Sequence, residues 1–241
     1  MALTSAQIVS LATQIARCPG YTSQAGQLLN SLLADLAQTF DFALARTSTT
    51  VTFNSGGYTG SGPYPLPADF LRALPNGVFF VLNGITYELT PIDLDEYDAL
   101  PQTTGFMSYP STYTTNMELS PPSLLVWPPA SGAYVTTIRY YKQPADIATP
   151  ETSTTVPWFP NADYLTTRLA GELMKLTNDD RVATFLVDSG RENDMSAPAI
   201  LRRYLKMKDD RESRAQTVRH DPRVFGRNTA GLKNTKKVFN L

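Results

Sequence analysis

The N-terminal stretch carries its apolar residues at a helical period. Ile8, Leu11, Ala12 and Ile15 fall at i, i+3, i+4 and i+7 and make one stripe. Thr4 stands where an N-cap belongs, and Gln7 three residues on completes a capping box. Pro19-Gly20 stops this helix. A second helix is predicted from about Ser23, with Leu28, Leu29, Leu32, Leu33, Leu36 and Phe40 on one face. Two amphipathic helices joined by a short turn pack as a hairpin.

Near residue 47 the period changes from helical to alternating. Thr47 to Phe53 is β-branched and predicts a strand. Residues 54–63 are glycine-rich and predict an exposed loop, and the prolines within Tyr64–Arg72 predict an extended edge. Val78–Leu82, Asn83-Gly84 and Ile85–Leu89 predict a β-hairpin, because Asn-Gly tolerates the two positive φ angles of a type I′ turn. Pro91–Leu100 suggests a short helix with Asp93 as its cap and Glu96 at the third position. Further strands are expected at Ser111–Leu119, Leu124–Trp127 and Tyr134–Tyr141.

A Thr/Pro-rich linker, Pro144 to Pro157, leads back to helix. Tyr164, Leu165, Leu169, Leu173 and Leu176 form a stripe between about Asn161 and Asn178. Asp179 or Asp180 can cap the next segment, and Pro198 marks either a new helix start or a kink before Ile200–Leu205. The expected fold class is therefore α+β. Residues 1–45 and 158–210 supply a helical bundle, 46–157 an inserted antiparallel β domain with its linker, and 211–241 an extended C-terminal arm.

Charge changes this picture. The 241 residues carry a formal net charge of −1, yet residues 1–199 hold 9 basic and 18 acidic side chains, net −9. Residues 200–241 hold 12 basic and 4 acidic, net +8. An acidic body with a basic arm repels and attracts the same partner at its two ends. A lone cysteine excludes an intramolecular disulfide, and one histidine with one cysteine excludes a His/Cys zinc site within a single chain. The first residues lack a cationic segment followed by an apolar run, so no secretion signal is expected, and no run suits a membrane helix.

Candidate chemistry is sparse. Asp93, Asp95, Glu96 and Asp98 form the densest acidic cluster, but lack the sharp-turn glycine of a calcium loop and read as a solvated helix. His220 lies in the polar arm, and Cys18 has no basic neighbour nearer than Arg17, so neither reads as a catalytic group. The glycines at 56, 57, 60 and 62 lack the Gly-Lys-Ser/Thr ending of a phosphate loop. Tyr109, Tyr113, Trp127, Tyr134, Tyr140 and Tyr141 read as core or interface aromatics in preference to a saccharide platform. No catalytic residue, metal ligand or cofactor site is expected.

The arm is the candidate site. Arg211, Arg214, Arg219, Arg223, Arg227, Lys233, Lys236 and Lys237 spread along it with few acids between them. Phosphate neutralisation explains the charge alone. Docking onto a protein also explains Val224, Phe225, Val238 and Phe239, which serve as apolar anchors. Fully extended, the arm reaches roughly 100 Å, enough to cross a neighbouring subunit.

Several segments carry a family resemblance. They are the Leu-rich helix ending in Phe40-Asp-Phe42, Tyr64-Pro-Leu-Pro-Ala-Asp-Phe-Leu-Arg72, Leu124-Leu-Val-Trp-Pro-Pro129 leading to Ile138-Arg-Tyr-Tyr-Lys142, and the terminal Asn234-Thr-Lys-Lys. With the helix–β–helix–arm layout, the chain resembles the head-to-tail adaptor (connector) proteins of short-tailed bacteriophages, the tail tubular protein A type. The resemblance implies a non-enzymatic virion protein at the head-to-tail interface, assembled in the host cytoplasm. Its implied partners are the portal protein, neighbouring adaptor subunits in a ring of about twelve copies, and a downstream tail or nozzle protein. The resemblance also implies that genomic DNA passes through the ring without specific binding and that no membrane is involved. Two other functions are weighed against this: a DNA-binding protein using the arm, and a receptor- or saccharide-binding tail module using the aromatic strands.

Overall fold

The computed structural model describes residues 2–54, 62–101, 107–191 and 194–207. In chain order it has helices α1 (Ser5–Ile15) and α2 (Thr22–Thr39), then strands β1 (Arg46–Phe53), β2 (Tyr64–Pro65), β3 (Phe70–Leu82), β4 (Ile85–Glu88) and β5 (Thr90–Pro91). There follow the short helix α3 (Leu94–Asp98), strands β6 (Thr112–Asn116), β7 (Ser123–Trp127) and β8 (Tyr134–Lys142), and helices α4 (Ala162–Leu176) and α5 (Val182–Leu186). A last helix, α6, occupies 197–207. The α+β class expected from the periodicity is the one observed.

The start of α1 shows why the helix forms where it does. The first amides of a helix lack intrahelical acceptors. Here the capping box is complete: Thr4 N–H donates to Gln7 Oε1 at 3.0 Å and Gln7 N–H to Thr4 Oγ1 at 3.3 Å. The amides between them are met by the returning linker, Ser5 N–H to Thr155 O at 2.9 Å and Ala6 N–H to Ser153 O at 3.2 Å. The Thr/Pro-rich segment is thus tied along the bundle. Asn161 caps α4, accepting from Tyr164 N–H at 3.0 Å.

Buried apolar residues form two separate clusters. One joins Ile8, Val9, Leu29, Leu33 and Leu36 of the N-terminal helices to Leu165, Leu169, Leu173 and Ile200 of the C-terminal ones. The other draws on both sheets, with Phe53, Val78, Phe80 and Ile138 facing Tyr64, Tyr113, Leu124 and Val126. Each fully buried side chain of this size contributes about 1.5–3 kcal/mol relative to exposure.

The strand order is β1-β8-β3-β4 in one sheet and β2-β7-β6-β5 in the other. Along β8 the even-numbered residues Tyr134, Thr136, Ile138 and Tyr140 are buried, while Val135 and Arg139 face outward, as a two-residue period requires. Asn83 and Gly84 take φ of 51° and 78°, the type I′ hairpin turn expected.

Four local expectations are corrected. Tyr64–Arg72 is not one edge segment: β2 lies at the edge of one sheet, while Phe70 opens β3, an interior strand of the other. The prolines account for only the β2 part of it. The β region is not purely antiparallel, because β5 runs parallel to β6. Asp93 holds the N-cap position of α3 but makes no capping bond through its side chain. The N-cap of α5 is Arg181, and Asp179 instead accepts the Arg181 amide at 2.9 Å.

Candidate functional site at the junction of the two cores

The segments 40–46 and 142–147 carry the chain between the two cores. The turn and strand start at 69–72 meet both of them. Strand β3 has an irregular register here, pairing Phe70 with Lys142 and Arg72 with Tyr141. Leu71 is therefore the extra residue of a β-bulge, which bends the strand and re-aims the side chain beside it.

That side chain is Arg72. Its Nε donates to Asp41 Oδ1 at 3.0 Å, and its Nη2 bonds the same oxygen. Nη1 donates to Gln38 O at 3.2 Å and Nη2 to Phe40 O at 3.4 Å. Phe40 is the C-cap of α2, so the guanidinium sits on carbonyls at the negative end of the helix dipole. Its carbon lies 4.9 Å from the centroid of the Tyr141 ring, a cation–π distance. Arg46 approaches that ring at 5.5 Å and donates Nε to Tyr141 Oη at 3.2 Å. With side-chain exposures of 34% and 62%, the Arg72–Asp41 ion pair by itself contributes only about 0–1 kcal/mol. The carbonyl bonds and the ring contact give the arrangement its direction.

Asp69 completes the junction from the other side. Its backbone oxygen accepts Gln143 N–H at 2.7 Å, and its carboxylate accepts the Tyr140 hydroxyl at 2.8 Å. Burial, the bond to Asp69 and its negative charge push the Tyr140 phenol up to about 12.

One carboxylate orders the turn before α6. Asp194 accepts the Ser189 hydroxyl at 2.7 Å, the Ser189 amide at 2.6 Å and the Ser196 amide at 2.8 Å. These bonds, the Ser189 hydroxyl foremost, hold its carboxyl well below the usual range. Arg202 pairs with Asp188 at 2.7 Å, and Arg203 donates to Asp194 O at 2.9 Å. The direction of α6, from which residues 208–241 continue, is set by this turn.

Arg211, Arg214, Arg219, Arg223, Val224, Phe225, Arg227, Lys233, Lys236, Lys237, Val238 and Phe239 lie outside the described residues, as does His220. Cys18 is buried, and burial pushes its thiol pKa up, away from a reactive thiolate. Asp93, Asp95, Glu96 and Asp98 are exposed on and beside α3. Among the described residues no group of three or more His, Cys, Asp or Glu is placed to hold a metal ion, and no helix is long and apolar enough to cross a membrane. Tyr113, Tyr134, Tyr140 and Tyr141 are buried; of the six aromatic positions Tyr109 is exposed, though stacked on Tyr87, and Trp127 is partly so. Open grooves of about 480 and 450 Å³ flank α6, lined largely by Met195, Ile200, Tyr204 and Met207 on one side and Phe40, Leu201 and Leu205 on the other. Neither gathers paired carboxylates or a histidine.

Composition and periodicity did not single out Asp41, Asp69 or Arg72. The signal that could have found them was in the resemblance: Phe40-Asp-Phe42, Pro-Ala-Asp-Phe-Leu-Arg72 and Arg-Tyr-Tyr-Lys142 are distant in sequence and meet at this one junction.

The described residues thus form two packed cores joined by a polar clasp. The chain belongs to the SU10 adaptor protein family, whose profile matches residues 3–221. It is thus a phage head-to-tail adaptor, and the match takes in Arg211, Arg214 and Arg219 of the arm. No curated protein matches the chain.

Proposed function

We propose that this adaptor assembles as a ring beneath the phage portal, joins the capsid vertex to the tail, and continues the DNA channel. The observation that carries the reading is the family match over residues 3–221. Charge supports it independently. A ring of bodies at net −9 each repels phosphates, so genomic DNA passes without sticking. The arm, residues 211–241, holds 8 basic and 2 acidic side chains, net +6, and seeks acidic protein surface, giving orientation and encounter rate before its apolar anchors engage.

In this account residues 1–45 and 158–210 act as the portal-facing bundle and 46–157 as the tail-facing β domain, with a nozzle protein below it. Residues 211–241 dock on the portal or on the neighbouring adaptor through the basic and apolar positions named above. The ring is a homododecamer of about twelve copies, closed by head-to-tail contacts between identical subunits.

Deleting residues 211–241 tests the docking role. The truncated chain is expected to keep its helical circular dichroism and to lose stable attachment to the portal. Attachment at the level of the full chain would overturn it. The competing DNA-binding reading makes a different forecast: tight binding of duplex DNA by the free chain, falling steeply with salt.

A further inference from the structure

We propose that Arg72 is a positioning residue that sets the angle between the helical bundle and the β-sandwich. Its consequence for assembly rests on the ring reading above; the clasp itself does not.

Short connections such as 40–46, which includes a 3-10 turn at Ala43–Ala45, and 142–147 act as hinges unless something spans them. The 69–72 segment spans both. Asp69 holds the start of the second connection through Gln143, its carboxylate being fixed by Tyr140 of β8, and Arg72 holds the first through Gln38, Phe40 and Asp41. Both anchors stand at the start of one strand, so the sandwich cannot swing about either connection without breaking bonds at the other.

The bulge at Leu71 is what allows this. In regular alternation Arg72 would follow the pleat, whereas the inserted residue turns it toward the end of α2. The planar guanidinium then serves two carbonyls and a carboxylate at once and rests on the Tyr141 ring. A lysine would keep the attraction to Asp41 as a point charge and lose the fork. Closed rings require the same subunit shape in every copy, so a fixed angle is a condition of closure.

The test uses spin labels on the full chain in a Cys18→Ala background. One label pair spans the two cores, at Gln27→Cys on α2 and Thr86→Cys on β4, both exposed positions. A control pair, Thr50→Cys and Thr86→Cys, lies within one sheet on β1 and β4. Distance distributions are read by double electron–electron resonance.

Arg72→Ala is expected to broaden the spanning distribution by roughly twofold, as freed hinges do, and to leave the control pair unchanged. Arg72→Lys is expected to fall between the two. An unchanged spanning distribution in Arg72→Ala would overturn the proposal. Equal broadening of both pairs would also overturn it, because Arg72 would then support the sandwich fold and not the angle. The measurement needs neither ring nor portal. A chain that keeps the narrow distribution yet never forms rings would count against the proposed assembly and leave the clasp intact.

Discussion

Asn30 and Ile147, 117 positions apart, pair like two strands of a ladder. Asn30 Nδ2 donates to Ile147 O at 3.0 Å, and Ile147 N–H donates to Asn30 Oδ1 at 3.1 Å. One side-chain amide thus satisfies both backbone groups of a partly buried linker residue. Asn30→Ala leaves both without their partner and is expected to cost about 1–3 kcal/mol. Urea unfolding checks this. A midpoint indistinguishable from wild type would mean that water replaces the amide without loss.

Gly77 sits at a second irregularity of β3, where the register shifts between Ala73 and Val78. A Cβ there would lie 2.6 Å from Arg139 O and 2.8 Å from Leu74 O, both backbone atoms that cannot give way. Gly77→Ala is expected to destabilise by about 1–3 kcal/mol, as overpacking does. Nothing lies within 4 Å of a Cβ at Gly20, so Gly20→Ala is expected to stay within about 0.5 kcal/mol of wild type. Thermal midpoints of the two variants give the comparison.

On the alkaline side, Tyr140 is the group to follow. Its folded pKa is raised from 10.0 to about 12, so the protonated form is favoured in the folded chain. The stability this contributes is fully present below about pH 10 and is lost as pH rises through about 12. Burial raises Tyr64, Tyr113 and Tyr164 as well, so ultraviolet phenolate titration is expected to show a late-titrating group of tyrosines, from which Tyr140→Phe removes one that titrates near 12. A phenolate loss that falls near pH 10 instead would contradict the raised pKa of Tyr140.

The acid side is governed differently. The Arg181 guanidinium, bonded to Asp179 at 2.7 Å, holds that carboxyl down to about 2, and Arg181 also donates to Ile15 O at 3.3 Å at the end of α1. A depressed carboxyl contributes stability above about pH 4 that is lost as pH falls toward about 2. Asp179→Asn is expected to flatten the fall of thermal midpoint across that window. An equally steep fall in the variant would assign the acid sensitivity elsewhere.

How much was legible depended on how local the cause was. The capping box at Thr4 and Gln7 and the Asn83-Gly84 turn are decided within a few residues, and each stands where the sequence places it. The strand order β1-β8-β3-β4 was not readable, because partners far apart in sequence decide it. Arg72 was hidden for the same reason: only the pairing of β3 with β8 creates the bulge that turns it toward Asp41. Periodicity also could not show that the Thr/Pro-rich linker supplies acceptors to α1, since those bonds use backbone atoms that any residue carries. The arm was legible only as charge and anchors, and its twelve named residues lie outside those described.

The adaptor assignment is tested most directly by mixing the purified full chain with its portal and imaging by negative-stain microscopy. The account predicts a ring of adaptor density on the tail-facing side of the portal. Portals that stay bare at saturating adaptor, while the free chain binds duplex DNA in a salt-steep manner, would contradict it.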